Sequence, residues 1–329
     1  MVSDTLKQLL QLLADGEFHS GTELSQTLGI SRTSIWKHLQ TLSELGLEYV
    51  AVTGKGYRLT QALQLLDLET VRCHLSEQSR QLLQGFKIHD VLDSTNAYLM
   101  QLARNPSVSR QVCVAEHQTA GRGRRGRQWV SPFGHNLYLS VLWRYQRDPS
   151  SVAGLSLAIG VAVMRALKRL GIDGLGLKWP NDIYYRQQKL GGILLEVSGE
   201  SSGPCHVVVG LGLNLFLAPA QSTAILQPWT DLATLAGADI GKLRNQLLAW
   251  LVNEIVDVLA DYDNCGLNAY LDPWRAYDCL YQQAVTLSIG EQVIEGTVAG
   301  IDDNGFLLLM TPDGVSKRYA SGEVSVKIR

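Results

Sequence analysis

The hydrophobic positions in the first 60 residues recur at helical spacing and are interrupted by turn residues. Leucines three or four positions apart between Leu6 and Leu13 predict a first helix. A Ser-x-x-Glu capping box that begins at Ser20 predicts a second helix, and Ser31 caps a third. Two short alternating runs on either side of Gly54-Lys55-Gly56 predict a β-hairpin. Three helices followed by a hairpin are the order of elements in a winged helix-turn-helix.

The pattern changes twice along the rest of the chain. Between residues 70 and 270, apolar runs of strand length alternate with helical segments, which predicts an α/β domain around one large mixed sheet. The predicted strands are residues 111–117, 136–143, 175–179, 193–197 and 206–213, and the predicted helices are residues 94–102, 151–170 and 242–262. After Trp274, five alternating runs separated by turns predict a small β-barrel, with strands at residues 285–289, 293–299, 306–310, 315–319 and 324–328. The sequence thus predicts an α+β multidomain protein with domains at residues 1–64, 65–272 and 273–329.

Composition narrows the class of protein. The 329 residues are 46% hydrophobic and 18% charged, with a formal net charge of −2. These values are typical of a folded globular protein and exclude wholesale electrostatic attraction to nucleic acid or membranes. Five cysteines without a C-x-x-C spacing suggest neither a disulfide framework nor a zinc site. Because the N-terminus lacks a signal-peptide layout and no apolar run is long enough for a membrane span, we expect a cytoplasmic protein without membrane partners.

The segment Gly121–Trp129 is the most unusual in the chain, because residues 121–127 contain four arginines and three glycines. It formally matches the dinucleotide fingerprint G-x-G-x-x-G, but Pro132 and Gly134 follow where that motif needs a helix. Arginine forks bind phosphate oxygens in pairs, and glycine lets the backbone approach a ligand. We interpret the segment as a nucleotide-phosphate loop. The alternatives are a solvated basic turn and a nucleic-acid patch.

Charged residues also lie at the ends of two predicted strands. The run Lys178-Trp179-Pro180-Asn181-Asp182 would place an ammonium, an amide and a carboxylate in one crevice. Such a set could hold phosphates and, through Asp182, a Mg²⁺ ion. Lys189 precedes two glycines and could reach a carboxylate or phosphate of a buried ligand. A solvated turn and an exposed lysine are the competing interpretations.

Hydrogen-bonding side chains mark a third region. Ser94-Thr95-Asn96 opens a predicted helix, which Ser94 is expected to cap, and the three side chains suit recognition of a neutral polar group such as a urea. Trp229 could stack on a base or serve a structural role. The seven histidines show no metal-ligand spacing, and the sequence supports no Ser-His-Asp, Cys-His or paired-carboxylate arrangement.

The outward face of the third predicted helix carries Arg32, Thr33, Trp36 and Lys37, and Lys55 lies in the predicted wing. In a helix-turn-helix this face enters the DNA major groove. We therefore interpret the first domain as DNA-binding, with a protein-contact role as the alternative.

Taken together, these segments resemble the bifunctional biotin protein ligases that also repress the biotin operon. The matching segments are residues 16–21, 54–57, 93–96, 118–129, 131–134, 136–140, 178–182 and 189–194, so the resemblance covers nearly the whole chain. It implies a winged helix-turn-helix, a biotin- and ATP-binding ligase domain and a C-terminal SH3-like β-barrel. The sequence departs from the family at Trp36, where a smaller polar residue is familiar, and in residues 188–202, which bear on the dimer geometry.

The resemblance also implies a two-step reaction. Biotin and MgATP give biotinyl-5′-AMP and pyrophosphate, and the biotinyl group then passes to a lysine of the biotin carboxyl carrier protein of acetyl-CoA carboxylase. The residues implied for biotin or its adenylate are Ser94, Thr95, Asn96, Gln118, Arg122, Gly123, Arg124 and Lys189, with Arg124 and Lys189 as the catalytic pair. Those implied for the nucleotide are Arg127, Lys178, Asn181 and Trp229. A ligand-bound homodimer is expected on operator DNA, with biotinyl-5′-AMP as corepressor.

The chemistry of the residues agrees with this reaction. A carboxylate is already ionised at pH 7, so adenylation needs positive charge and positioning rather than a general base. Two rival functions remain at this point: a repressor that only senses a small ligand, and a lipoate ligase of the same architecture. A sensor would not need four arginines over its ligand, and a lipoate ligase would not be expected to carry this loop.

Overall fold

The computed structural model describes residues 3–217, 222–223, 225–321 and 324–328. Its N-terminal elements are α1 (Asp4–Leu13), α2 (Gly21–Leu28), α3 (Arg32–Glu44), β1 (Tyr49–Val52) and β2 (Gly56–Leu59). Ser20 accepts a hydrogen bond from the backbone of Glu23 and the Glu23 carboxylate accepts one from the backbone of Ser20, so the predicted capping box forms. β1 and β2 pair antiparallel. The predicted winged helix-turn-helix is confirmed.

The central part of the chain contains one large sheet. Its helices are α4 (Leu68–His74), α5 (Glu77–Leu82), α6 (Thr95–Leu102), α7 (Leu155–Lys168), α8 (Leu232–Ala236), α9 (Arg244–Cys265) and α10 (Asn268–Ala276). Its strands are β3 (Gly85–Leu92), β4 (Gln111–Gln118), β5 (Leu137–Tyr145), β6 (Leu175–Lys178), β7 (Asp182–Tyr185), β8 (Gln188–Gly199) and β9 (Cys205–Leu213). The strand order is β3-β4-β5-β9-β8-β7-β6, with β3 and β4 parallel and the other neighbours antiparallel. This is the mixed sheet that the sequence predicts.

Different helices cover the two faces of the sheet. α7 and α9 bury one face, because nearly every residue of α7 and an apolar stripe of α9 are enclosed in the main core. α6 packs on the opposite face, where Leu99 contacts a small cluster that includes Leu142 and Val208. Because α6 covers only part of that face, the strand ends beside it are left for polar side chains.

One stretch of the described residues, Pro149–Lys168, is long and apolar enough to cross a membrane by length and composition. However, most of this stretch is buried inside the protein, where α7 packs against α9 and α10. Its hydrophobicity is therefore explained by its place in the core.

The C-terminal elements are the five strands that the sequence predicts: β10 (Ala284–Ile289), β11 (Gln292–Ile301), β12 (Leu307–Met310), β13 (Ser316–Tyr319) and β14 (Val324–Ile328). They form an antiparallel sheet in the order β13-β12-β11-β10-β14. In the described residues no pairing joins β13 to β14, so the structure establishes a five-stranded sheet and not a closed barrel. This sheet contacts the central domain, where the Trp179 indole donates to the Gly305 carbonyl at 3.0 Å.

One buried apolar contact joins the N-terminal domain to the central one, and a buried ion pair of the central domain lies beside the connection between them, where Arg244 also donates to the Gln64 carbonyl. Phe133, from the segment that follows the arginine-rich loop, is 2% exposed and belongs to the hydrophobic core of the winged helix-turn-helix. Arg244 of α9 lies 2.5 Å from the Glu116 carboxylate, and both side chains are almost fully buried. The same carboxylate accepts the backbone N–H of Leu66 in the connection between the domains. The loop that bears the arginines is therefore anchored at the domain boundary.

A buried acid at the start of the C-terminal domain gives a stability prediction. Burial raises the pKa of Asp278 to about 6, although a backbone N–H from Leu280 stabilises the ionised form. Its Oδ2 is buried without a hydrogen-bond partner. Because the folded-state pKa lies above the unfolded value of about 3.8, the acid stabilises the fold at low pH, and that stability is lost as pH rises through 6. We expect Asp278→Asn to gain about 1.5 kcal/mol relative to the native protein between pH 5 and pH 8.

Urea unfolding of both proteins at several pH values measures this difference. Glu291→Gln, at an exposed turn between β10 and β11, is the matched control and is expected to leave the pH dependence unchanged. Parallel stability curves for native protein and Asp278→Asn would contradict the prediction.

Candidate functional site

A cluster of buried polar side chains lies where α6 meets the sheet. Thr95, Asn96, Gln118 and Ser140, which we call the polar cluster, are all at most 9% exposed. The backbone N–H and hydroxyl of Thr95 donate to Gln118 Oε1 at 2.9 and 3.1 Å. The Ser140 hydroxyl lies 2.7 Å from Thr95 Oγ1 and 2.6 Å from Asn96 Oδ1. Ser94 caps α6, as predicted, by accepting the N–H of Ala97.

A glycine makes room for this cluster. A methyl group at Gly210 of β9 would overlap the Asn96 amide, so the side chain of Asn96 occupies space that any larger residue would fill. Asn96 Nδ2 in turn reaches β8, where it donates to the Glu196 carboxylate at 2.8 Å and the Leu194 carbonyl at 3.3 Å. The cluster is thus a set of directed donors and acceptors without formal charge, suited to a neutral polar group.

The arginine loop, Gly121–Trp129, is a narrow hairpin. Gly121 accepts the N–H of Trp129 at 2.9 Å, and the N–H of Gly123 donates to the Arg127 carbonyl at 2.7 Å. The tip is a single 3₁₀ turn at Arg124–Gly126. No dinucleotide-type helix follows, as expected from the sequence.

The loop connects two groups of side chains. From its stem, Arg122 reaches the Glu196 carboxylate at 3.3 Å, next to the polar cluster. From its tip, Arg124 donates to Asn181 Oδ1 at 3.0 Å and also to the carbonyl of Ser321, which follows β13 in the C-terminal domain. Burial lowers the pKa of Arg124, and the Asp182 carboxylate opposes that effect. The loop therefore lies across the strand ends, with a partly shielded guanidinium directed at the second group.

The second group lies on the hairpin of β6 and β7 and on the start of β8. Lys189 Nζ is 2.8 Å from Asp182 Oδ1, and the two side chains are only 13% and 20% exposed. Lys178 donates to the Tyr184 hydroxyl at 3.2 Å. Burial lowers the pKa of Lys178, opposed by the Asp182 carboxylate. Two lysines and an arginine thus converge on one carboxylate, which leaves net positive charge for an anionic ligand.

Two tryptophans border this group. Lys189 Nζ lies 5.5 Å from the centre of the Trp129 ring, and the indole rests against Gly212, where a methyl group would overlap it. Trp229 runs alongside Lys189: the N–H of Lys189 donates to the Pro228 carbonyl at 3.0 Å and its carbonyl accepts from Thr230 at 3.0 Å. Trp229 is half-buried, and its backbone is paired with that of Lys189.

The expected metal ligand is already paired. Asp182 Oδ1 faces Lys189, and in the described residues no group of three His, Cys, Asp or Glu side chains could hold a metal ion. The residues thus fit a Mg²⁺ ion that arrives bound to nucleotide phosphates and takes one carboxylate at most, rather than a resident metal.

The expected DNA-binding residues are all exposed. Arg32, Thr33, Trp36 and Lys37 of α3 are exposed, and so is Lys55 in the turn between β1 and β2. Trp36 is 49% exposed. Lys55 and Arg58 lie 5.8 and 5.1 Å from the centre of the Phe18 ring.

The structure thus brings Ser94, Thr95, Asn96, Gln118 and Arg122 together on one side of the loop, and Arg124, Lys178, Asn181, Asp182, Lys189 and Trp229 on the other. Gly123 lies in the stem, and Arg127 is exposed, with a charge that contributes to the lowered pKa of Lys178. The sequence analysis missed Ser140 and Glu196. Ser140 had a detectable signal, since it is a hydroxyl in the middle of an apolar strand. Glu196 had none, because its partners are distant in sequence.

Three family profiles match the chain in order. Residues 5–58 match "HTH domain", residues 88–214 match "Biotin/lipoate A/B protein ligase family", and residues 283–327 match "Biotin protein ligase C terminal domain". The chain is also 42% identical to the bifunctional ligase/repressor BirA of Salmonella typhimurium, over 97% of this chain and 96% of the relative. The chain belongs to the bifunctional biotin ligase/repressor family.

Other comparisons agree with that membership. The bifunctional ligase/repressor BirA of Bacillus subtilis is 32% identical over 98% of both chains. The biotin protein ligase of Aquifex aeolicus, solved in complex with biotin and ATP, is 27% identical, with a TM-score of 0.61 over 75% of this chain and all of that one. As a bifunctional ligase/repressor, this chain is a biotin protein ligase that also carries a repressor's DNA-binding domain. The matched profiles and relatives favour biotin over lipoate and a ligase over a pure sensor.

Proposed function

We propose that this ligase/repressor joins biotin to ATP, transfers the biotinyl group to the carrier protein of acetyl-CoA carboxylase, and represses the biotin operon as a homodimer with biotinyl-5′-AMP as corepressor. The observation that carries the proposal is the position of the arginine loop. It lies between a neutral hydrogen-bonding cluster, suited to the ureido ring of biotin, and a cationic group suited to a carboxylate and phosphates. The organism's cytoplasm is the proposed compartment, in keeping with five free cysteine thiols.

In the first step the biotin carboxylate attacks the α-phosphorus of ATP and pyrophosphate leaves. We assign Thr95, Asn96 and Gln118 to the ureido group, with Ser94 and Gly123 supporting the backbone around it. Arg124 and Lys189 would neutralise the carboxylate and the α-phosphate, so that two anions can approach, and Arg122 would bind biotin or its adenylate from the stem of the loop. Lys178, Asn181, Arg127 and Trp229 would bind the nucleotide, and MgATP would bring its ion to Asp182.

In the second step the neutral amine of the acceptor lysine attacks the acyl carbon, AMP leaves, and the new amide forms with release of one amine proton. We assign residues 1–64 to operator binding, 65–272 to catalysis and 273–329 to an SH3-like barrel. The contact between Arg124 and Ser321 supports a role for this last domain in closing the site.

Pyrophosphate exchange tests the activity directly. Labelled pyrophosphate should enter ATP when biotin is present and not when lipoate replaces it. Adding the carrier protein should then give a biotinylated lysine. Exchange with lipoate, or none with either acid, would reject the proposed reaction.

The arginine loop gives a prediction about the intermediate. A mixed anhydride reacts with stray amines unless it is enclosed, and Arg124 supplies a charged contact across it. We expect Arg124→Gly to release biotinyl-5′-AMP about 10- to 100-fold faster, as the loss of one charge-assisted hydrogen bond implies, and to biotinylate bystander proteins. Rapid-quench release assays and blotting for biotin measure the two effects.

Arg125→Gly is the matched control. It removes the same charge from the next position, where φ is +59° and glycine is readily accommodated, and where the side chain is exposed. It should retain the adenylate as the native protein does. If Arg124→Gly also retains it, the loop has been assigned wrongly.

A further inference from the structure

Glu196 lies on β8 between the polar cluster and the arginine loop. Its Oε2 accepts a hydrogen bond from Asn96 Nδ2 at 2.8 Å, and its Oε1 is 3.3 Å from a guanidinium nitrogen of Arg122. The Glu196 side chain is 27% exposed. Partial shielding from water strengthens both contacts relative to those of a surface carboxylate.

One of these contacts fixes the direction of an amide. An ionised carboxylate only accepts hydrogen bonds, so Glu196 requires Nδ2 of Asn96 to point toward β8. Asn96 Oδ1 is then left toward the Ser140 hydroxyl, 2.6 Å away. Because Nδ2 also donates to the Leu194 carbonyl at 3.3 Å and the amide fits into the space left by Gly210, Asn96 is held in one orientation within the polar cluster.

The other contact reaches the stem of the arginine loop. The stem is held along its length by backbone bonds between Gly121 and Trp129 and between Gly123 and Arg127. The pair between Glu196 and Arg122 is a side-chain tether from this stem to the sheet. Arg122 is 54% exposed, so the pair adds little to global stability. Its effect is on the position of the loop.

We propose that Glu196 is a positioning residue for adenylate formation and retention. It orients Asn96 for the head group of the acid, and it anchors the stem of the arginine loop. One carboxylate therefore positions both the polar cluster and the arginine loop. This inference rests on the proposed function, because it concerns the same acid and the same adenylate.

Two variants separate the two contacts. Glu196→Ala loses both, and we expect the KM for biotin in pyrophosphate exchange to rise about tenfold and release of biotinyl-5′-AMP to be about tenfold faster. Glu196→Gln keeps an amide oxygen that can accept from Asn96 but has no charge for Arg122. It should keep KM within about twofold of the native value and still release the adenylate about three- to tenfold faster.

A double-variant cycle tests the tether. If Glu196 acts on retention through Arg122, the double variant Arg122→Ala/Glu196→Gln should release the adenylate no faster than the faster of the two single variants. Glu200→Gln, at an exposed carboxylate just beyond β8, is the control and should match the native protein in KM, release rate and Tm.

The outcomes are distinguishable. Native KM and native release in Glu196→Ala would overturn the inference while leaving the ligase activity in place. A KM in Glu196→Gln as high as in Glu196→Ala, with a lowered Tm in both, would show a merely structural role and would also overturn it. Failure of the native protein to catalyse biotin-dependent exchange would instead reject the proposed function.

Discussion

Lys189→Ala is expected to lower the rate of biotin-dependent pyrophosphate exchange by about 100-fold or more, the effect of removing one preorganised charge from a developing transition state. Lys189 Nζ is one of the cations that converge beside Asp182, and its side chain is only 13% exposed. A charge in this shielded place acts more strongly on a carboxylate and a phosphate than one in open solvent does. The loss should appear mainly in kcat, since the charge between nucleophile and phosphorus is greatest in the transition state.

Arginine should not restore the activity. The end of the Lys189 side chain is enclosed, with Nζ 2.8 Å from Asp182 Oδ1 and 5.5 Å from the centre of the Trp129 ring, so a larger group would have to displace these neighbours. A planar guanidinium is wider and cannot act as a point charge there. Lys168→Ala, at the exposed end of α7, is the control for a general loss of positive charge. Unchanged pyrophosphate exchange in Lys189→Ala would show that Lys189 does not contribute to adenylation.

The elements of the fold could be predicted from local pattern, and the departures have physical reasons. Amphipathic spacing and caps identify α1–α3, because those signals lie within one or two turns. The strands β3 and β7 were not predicted, and neither were the helices α4, α5, α8 and α10, which are only five to nine residues long. β7 is four residues long and follows β6 at once, so Lys178 and Asp182 face each other across a tight hairpin. The run Lys178–Asp182, which we placed at the end of a predicted strand, spans that connection.

The sequence predicts those site residues whose charge is unusual for their sequence context. It does not predict the residues whose contact partners are brought close only by the fold. Four arginines in seven residues identify the loop without a structure. The partner of Asn96, however, is 100 residues away on β8, and that of Arg122 is 74 residues away. Both contacts depend on how α6 and the loop cross the sheet. Sequence pattern therefore indicates the chemistry of the ligand better than it indicates the residues that orient the ligand-binding groups.

Operator binding is expected to require two copies of the chain. Residues 1–64 contain five basic and six acidic residues, so the DNA-binding domain has a formal charge of −1. Lys7 is paired with Asp90, 3.0 Å away, and lies outside the DNA face. The four remaining cations, Arg32, Lys37, Lys55 and Arg58, can neutralise about four phosphates at most. One copy should then give a salt slope of about −3.5 in log K against log[salt], and two copies about −7.

The need for two copies on the operator links repression to the ligand. If biotinyl-5′-AMP promotes the dimer by ordering loops of the central domain, it must also tighten operator binding, and the operator must tighten the dimer by the same factor. We therefore expect operator binding that rises steeply with protein concentration when biotinyl-5′-AMP is present and that is weak without it.

Lys37→Ala should reduce the salt slope of log K for the dimer by about 2, because each copy loses one phosphate contact, whereas Lys7→Ala should leave that slope unchanged. Equilibrium titrations of operator DNA at several salt concentrations, with protein mass measured in parallel, decide the matter. Tight, non-cooperative binding by the ligand-free monomer would refute the link, because four cations on a domain of net charge −1 would then suffice for repression.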